Sequence, residues 1–440
     1  MALSGTIAQG VVMDGSDRPL AHAVVEAGDS TAALSSAIDR LLAGPDVDGA
    51  LVTHVVLGTG QAVTRALEER AVDRVAVIRI GSPLTGAVPP LAAWPPALRE
   101  ALSAGETVVA GGAEYDGSSA VALDEDEVAR FLDALADDVG AVAVTGVFSP
   151  VAPEHEQAAA ALVRRVLGPD VHVSLSHELG SLGLIERENA TVLNAALSGA
   201  ARQLASLLGG ALRAADIAGE AFVSQDDGAV MTLELAGQRP VLMLDSGPAN
   251  ALRGAVHLSG VADGVVVHAG AGVTEVGAVV RGLPREAASP SEVGGVRIGF
   301  CPPEIRRLGA NSDGRALAAA IDWARNDLQI PVVAVGPERS TVPYRLHGIG
   351  PVLRPPWGEV AAAVGAAVGE VTGRAERVSR DRPDRRREAL EAAQTEAMAL
   401  AAHAGADPDR LQVVSIDETP LTYDVEPVVR ICVKVAGPPA

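Results

Sequence analysis

Two stretches of the chain set small residues between β-branched runs in a way that suits phosphate chemistry. One is "LSGTIAQGVVMD", with Gly5, Thr6 and Gln9; the other is "VVVHAGAGVTEVGAVV", with His268, Gly270, Thr274 and Glu275. In a turn of this kind successive backbone N–H groups form an anion nest, Thr hydroxyls add donors, and an Asp holds a metal ion. Neither turn carries an Asp, and both also fit ordinary β-hairpins with glycine turns. His155-Glu156 and His177-Glu178 are further candidates, as a base with its partner or as metal ligands. Neither matches HExxH, because Ala159 and Ser181 stand where the second His is needed. His54 and His268 fall in or beside strand-like runs, where a hydrogen-bonded core histidine is the simpler account. No GxSxG elbow occurs, no CxxC occurs, and neither Cys301 nor Cys432 has a His nearby, so no metal site is expected.

These residues must be held by a sizeable scaffold. A chain of 440 residues exceeds the size at which one core stops growing, so two or three domains are expected. Apolar residues make up 48% and aromatics only 2%, so the core must be built from Ala, Val and Leu. The net charge of −21 repels a phosphate backbone and argues against nucleic acid as a partner. No apolar stretch reaches the roughly 20 residues that span a bilayer. "MALSGTIAQG" lacks a basic n-region, so no membrane role is expected and the chain reads as cytoplasmic.

Strand-like runs alternate with Ala/Leu-rich helical ones: "ALVTHVVLG", "QAVTRALEERA", "RVAVIRI", "EDEVARFLDALADD", "AVAVTGVFS", "EHEQAAAALVRRVL", "VHVSLS". The alternation predicts an α/β architecture with a largely buried sheet. Residues 186–215 carry the longest helical pattern, with Leu193, Leu197, Leu204, Leu207 and Leu208 in phase. Gly209-Gly210 should break or kink it, and it should cross between two lobes. "PLAAWPPALRE" reads as a Pro-rich surface loop. "RAERVSRDRPDRRREAL" reads as a basic, solvated link, followed by a helix and a terminal pair of strands.

Longer stretches carry a resemblance. "VSLSHELGSLGLIERENATVLNAAL" (173–197), "VSQDDGAVM" (223–231), "LDSGPANALRGAVHLSG" (244–260) and "HAGAGVTEVGAVVRGLPR" (268–285) follow one another in the order seen in the hydantoinase A/5-oxoprolinase family. "RVAVIRIGSP", "VFSPVAPEHEQ", "SEVGGVR" and the C-terminal strands extend the similarity over nearly the whole chain. The resemblance implies a two-lobed, actin-like (ribonuclease H-like) ATPase fold of α/β class with a small C-terminal α+β segment. Along the chain this gives a first lobe at 1–185, a second at 186–372 and a C-terminal helix and strand pair at 373–440. The family uses ATP to phosphorylate the carbonyl oxygen of a cyclic amide so that water can open the ring, usually with a B-type component.

The departures from the family's pattern fall on its nucleotide loops. The first loop, approximately D-x-G-G-T-x-T-D, is here Ala2 to Gln9, keeping Gly5 and Thr6 and losing both acids. The second, approximately D-I-G-G-T-T-T-D, is here His268, Ala269, Gly270, Ala271, Gly272, Val273, Thr274 and Glu275. The later "VGGGS"-like turn is Val335, Gly336, Pro337, Glu338, Arg339 and Ser340; Pro removes a backbone donor and Glu338 adds negative charge. Mg·ATP needs carboxylates around the metal and donors around the phosphates. ATP binding is therefore expected to be lost and no cofactor is expected. The leading expectation is a degenerate subunit acting as structural or regulatory partner of a hydantoinase B-like subunit or an intact paralogue, with self-association a further option. The rival is an active cyclic-amide hydrolase with altered nucleotide or metal demands and with His268, Glu275 and Gln9 as its polar residues. A third reading, acyl- or carboxyl-phosphate handling like the acetophenone carboxylases, needs the same loops. Glu186, Arg187, Asn194, Ser246, Gly247, Pro248 and Asn250 are assigned to cleft or packing roles, with Glu186 and Arg187 paired and Ser246 or Asn250 capping a helix.

Overall fold

The computed structural model describes the chain except residues 59, 84, 116, 119–120, 136–137, 181, 271, 288, 290–291, 301, 310–312, 326–328, 347 and 422–426. Ser181, Ala271 and Cys301 thus lie outside the described residues. The chain opens with strands β1 (Ala2–Ser4), β2 (Ile7–Met13) and β3 (Pro19–Glu26), then helix α1 (Ser30–Leu42), β4 (His54–Leu57) and α2 (Gly60–Glu68). An insertion follows: β5 (Val75–Ser82), α3 (Pro96–Leu102), β6 (Ser103–Ala110), α4 (Glu125–Asp133), β7 (Ala141–Gly146), α5 (Glu154–Leu167) and β8 (His172–Leu175). Helices α6 (Leu184–Ala196) and α7 (Ser198–Ala214) lead to β9 (Glu220–Ser224), β10 (Val230–Thr232) and α8 (Leu233–Gln238). The second half holds α9 (Ser246–Ser259), β11 (Gly264–Gly270), β12 (Val273–Val280), β13 (Leu283–Pro284), β14 (Glu292–Val293), β15 (Val296–Arg297) and β16 (Ile305–Gly309). It continues with α10 (Gly314–Ala324), β17 (Val332–Val335), β18 (Arg345–Leu346), β19 (Gly350–Leu353) and α11 (Ala361–Ala367), and the chain ends in β20 (Val371–Arg380), α12 (Pro383–His403), β21 (Gln412–Leu421) and β22 (Val428–Gly437).

Two sheets repeat one topology. In the first, β1 is antiparallel to β2 and β2 to β3, while Ala2 bridges Gly58 in parallel at the end of β4, which runs parallel to β9. In the second, β11 is antiparallel to β12 and β12 to β16, while β11 is parallel to β17 and β17 to β19. The two small-residue turns occupy the same place, between the first and second strands of each sheet. Helices α9 and α11 meet through glycines. A Cβ on Gly254 would lie 1.8 Å from the Ala361 carbonyl oxygen, and one on Gly365 would lie 1.8 Å from that of Asn250. Only residues without a side chain let the two backbones approach so closely.

The insertion is a parallel sheet in the order β6-β5-β7-β8, and every residue of β7 is buried, as strands covered on both faces must be. The C-terminal strands extend the first sheet through Val230 of β10, which pairs with Val371 of β20. Strands β4, β9, β10, β20, β21 and β22 thus share one sheet, to which segments on both sides of 185/186 and 372/373 contribute.

Three expectations are corrected. The 186–215 pattern breaks at Leu197, and α7 runs through Gly209-Gly210 without interruption. The break is stabilised by Asp73, whose carboxylate accepts from Ser198 Oγ (2.8 Å) and the Gly199 N–H (2.7 Å), capping the second helix. The basic "link" begins as strand β20, where Val371, Gly373 and Ala375 alternate inward beneath α12. A Cβ on Gly373 would sit 2.1 Å from the Ala397 carbonyl oxygen. The Pro-rich segment is a surface loop only in part: Ala92 and Ala93 are exposed, but Leu91 and Trp94 are buried and α3 begins at Pro96.

Candidate functional site in the second hairpin

The first turn is tight and uncharged. Gly5 has φ +59°, its carbonyl accepts from Ser30 Oγ at 2.8 Å, and Thr6 is exposed beside it. Gln9 stands opposite Ala2 across the β1–β2 ladder, and its buried Oε1 has no hydrogen-bond partner among the described residues.

The second turn is held by a row of charges. Strand register places His268 opposite Glu275, and Glu275 opposite Arg307 of β16. His268 Nδ1 lies 3.1 Å from Glu275 Oε2, and Arg307 Nε donates to Glu275 Oε1 at 3.1 Å. Arg307 also pairs with Asp245 at the start of α9. The Asp245 N–H in turn donates to Thr64 Oγ1 of α2 at 3.3 Å, so the row ends where α2 meets α9. Burial alone would raise the Glu275 carboxyl, but the hydrogen bond and charge of His268, with the charge of Arg307, hold it below its ordinary value. Burial likewise works against the Arg307 cation, and Asp245 and Glu275 overcome it, raising its pKa.

Gly270 and Thr274 sit in the ladder beyond this row, Gly270 opposite Val273 and Thr274 opposite Ala269. Gly336 packs directly on the strand end. It has φ +97°, and a Cβ there would lie 2.4 Å from the Ala269 carbonyl oxygen and 2.7 Å from His268 Cδ2. The Glu338 N–H donates to the Ala269 carbonyl at 2.9 Å, and Arg339 turns to Glu359 at 2.5 Å.

The capping assignment is corrected. The residue preceding α9 is Asp245, at φ +58° and with no capping bond from its side chain, so Ser246, Gly247 and Pro248 form the first turn and Asn250 lies inside the helix. Ser246 and Asn250 are fully buried, and among the described residues Ser246 Oγ and both polar side-chain atoms of Asn250 lack hydrogen-bond partners. Asn250 Nδ2 faces Gly58, where a Cβ would come within 2.7 Å.

In "ERENATVLNAAL" the polar side chains bond inward. Glu186 and Arg187 do not pair as expected, since adjacent helical residues point in different directions. Glu186 faces Arg297 at 3.5 Å, and Arg187 donates to Ser176 Oγ, the Leu182 carbonyl and the Gly146 carbonyl. Asn194 bonds Ser174, the Gln238 carbonyl and the Val241 N–H, and Asn189 joins Trp94 to the Arg297 carbonyl. Glu188 forms a fully buried bidentate pair with Arg79, both bonds 2.6 Å. The sequence reading missed one contact here. Glu156 and His177 meet at 2.6 Å, with Ser176 Oγ at 2.5 Å from the same carboxylate. Burial would raise the Glu156 carboxyl, but His177, Ser176 and the His177 N–H hold it below its ordinary value. Arg307 was also missed: "EIRRLG" does not alternate, and only the structure pairs this strand with β12. Among the described residues no group of three or more His, Cys, Asp or Glu side chains is placed to hold a metal.

Two lobes of one repeated topology, joined by crossing helices and with a small-residue turn in each, define an actin-like fold of α/β class. The model of the hydantoinase/oxoprolinase N-terminal region matches residues 5–167, and that of hydantoinase/oxoprolinase matches residues 187–321. The chain belongs to the hydantoinase/oxoprolinase family. Its fold is similar to that of an ATP-dependent caprolactamase from Pseudomonas jessenii, with a TM-score of 0.79 at 15% identity over 99% of this chain and 87% of that one. A nucleotide-free acetone carboxylase is similar with a TM-score of 0.68 at 13% identity, over 99% and 88% of the two chains. No curated protein matches the chain by sequence. Among the described residues no helix is long and apolar enough to cross a membrane.

Proposed function

We propose that the chain is a hydantoinase A-type subunit of a cyclic-amide hydrolase system that does not bind Mg·ATP. It acts in the cytoplasm as structural or regulatory partner of a B-type component or an intact paralogue. The observation that carries this reading is the occupancy of Glu275, the one carboxylate kept at the two turns. One oxygen is bonded to His268 and the other to Arg307. A metal-bound triphosphate requires carboxylates around the cation, and seating one here breaks two internal pairs. The uncharged first turn supplies no replacement. The family and the similarity in fold to a caprolactamase support the proposed substrate class.

Calorimetry with Mg·ATP and with ADP, with and without a co-purified B-type partner, tests the reading. No binding is expected and no thermal shift. Millimolar or tighter binding that disappears in Thr6→Val or Thr274→Val would overturn it. A second reading, nucleotide-independent hydrolysis in the cleft, is favoured by the His268–Glu275 pair, since a carboxylate-oriented imidazole is a general-base arrangement. It requires lactam hydrolysis without ATP that is lost in His268→Asn.

A further inference from the structure

A cavity of about 920 Å³ lies away from both turns, where the two lobes and the C-terminal strands meet. Its volume falls within the range of small-molecule sites, about 300–1,000 Å³. Its walls come from the β2–β3 turn (Asp17), the second half of α9 (Arg253 and His257), the segment after α11 (Glu370) and the segment after α12 (Asp409 and Arg410). His257 Nε2 donates to the Asp17 carbonyl at 2.6 Å and closes one end.

The charges on these walls are nearly unspent. Arg253 is mostly buried, yet among the described residues its guanidinium contacts are long ones, to the Val368 carbonyl at 3.5 Å and to Glu370 at 3.9 Å. Asp17, Asp409 and Arg410 also line the cavity, and no hydrogen bond or ion pair joins their side chains to other described residues. The residues lining this one volume thus carry two cations and three carboxylates with little internal pairing. A ligand of a single charge would satisfy one set and repel the other. A zwitterion satisfies both, its carboxylate on Arg253 and Arg410 and its ammonium among the acids.

We propose that this cavity binds a small amino acid. The proposal deepens the regulatory reading above and rests on it for the ligand's origin. Opening a lactam, the cyclic amide with one carbonyl on its nitrogen, turns the carbonyl into a carboxylate and frees the nitrogen as an amine, protonated near neutral pH, so the ring-opened product is itself a zwitterion. Occupancy here is placed to act on the lobes. Arg253 adjoins Gly254, at the point where α9 and α11 cross with no side chain between them. A ligand drawing Arg253 toward the C-terminal strands pulls on that crossing.

Calorimetry and thermal shift of the full chain, without nucleotide or partner, test the proposal with 6-aminohexanoate and glutamate. Hexanoate, hexylamine and caprolactam are the controls. The zwitterions are expected to bind and to raise the melting temperature, with each control at least tenfold weaker. Arg253→Met should weaken binding at least tenfold. The exposed changes Arg410→Gln and Asp409→Asn should weaken it several-fold with the unliganded melting temperature unchanged, which separates lost binding from lost folding. Hexanoate binding as well as 6-aminohexanoate would overturn the proposal, as would no zwitterion binding at millimolar concentration, or binding indifferent to all three variants. If Mg·ATP binds after all, the reading above fails while this measurement stands.

Discussion

At the first turn Ala2 lies opposite Gln9, and Gln9 opposite Val24; at the second, His268 lies opposite Glu275, and Glu275 opposite Arg307. These are equivalent rows in sheets of the same strand order. One is uncharged, with a buried amide oxygen unpaired among the described residues, and the other is a chain of alternating charges reaching to Asp245. The backbone ladder is indifferent to which row it carries. Its register is set by inward-facing Val and Ala residues and by glycine at the turns, whereas the row's chemistry depends on one side chain per strand. Architecture and site can therefore diverge within one molecule.

The sharpest way to separate the lobes is at their glycines. Gly336→Ala should destabilise by about 3 kcal/mol, combining left-handed strain with a backbone clash, because the new Cβ would meet the Ala269 carbonyl oxygen at 2.4 Å. The urea midpoint should fall accordingly. Next is the row itself. Arg307→Met leaves the buried Glu275 with His268 alone and should cost about 2 kcal/mol, while the half-exposed Val24→Ala at the equivalent place should stay within about 0.5 kcal/mol. Gly5→Ala should cost about 1 kcal/mol from its positive φ alone, since nothing lies within 4 Å of a Cβ there.

The smallest effect is in pH. A carboxyl whose folded pKa is lowered adds stability above its unfolded value and loses it as pH falls through the folded one. Glu275 lies below the ordinary 4.5. Denaturation followed downward from pH 5 should therefore show a shallower acid limb in Glu275→Gln than in the parent chain. Gln9→Ala should leave that limb's slope unchanged, and an equal change in both variants would erase the distinction between the rows.

Much of this was legible beforehand. The strand–helix alternation from His54 to Leu175, the terminal strand pair and the echo between the two hairpins all follow from local period and turn chemistry. The break at Leu197 was not, because Asp73, far away in sequence, caps α7, and a scan for helix breakers sees only Gly209-Gly210. Nor was Trp94 as a buried donor to Asn189, since proline-rich text conceals a single anchoring aromatic. In sequence Glu156 and His177 each adjoin a different partner, His155 and Glu178. They meet because α5 returns β7 to a parallel β8, and motif spacing cannot encode that.

The sequence by itself determined where the elements lie, that both turns are glycine-bearing hairpins, and that their acids are nearly gone, because backbone preference and side-chain identity are local properties. The tertiary structure alone decided that the surviving acid is already engaged, that two buried arginines have partners, and that a charged cavity opens beside a glycine crossing. Each of these depends on charges and donors brought together from distant segments, whose attraction acts only over the few ångströms that folding imposes.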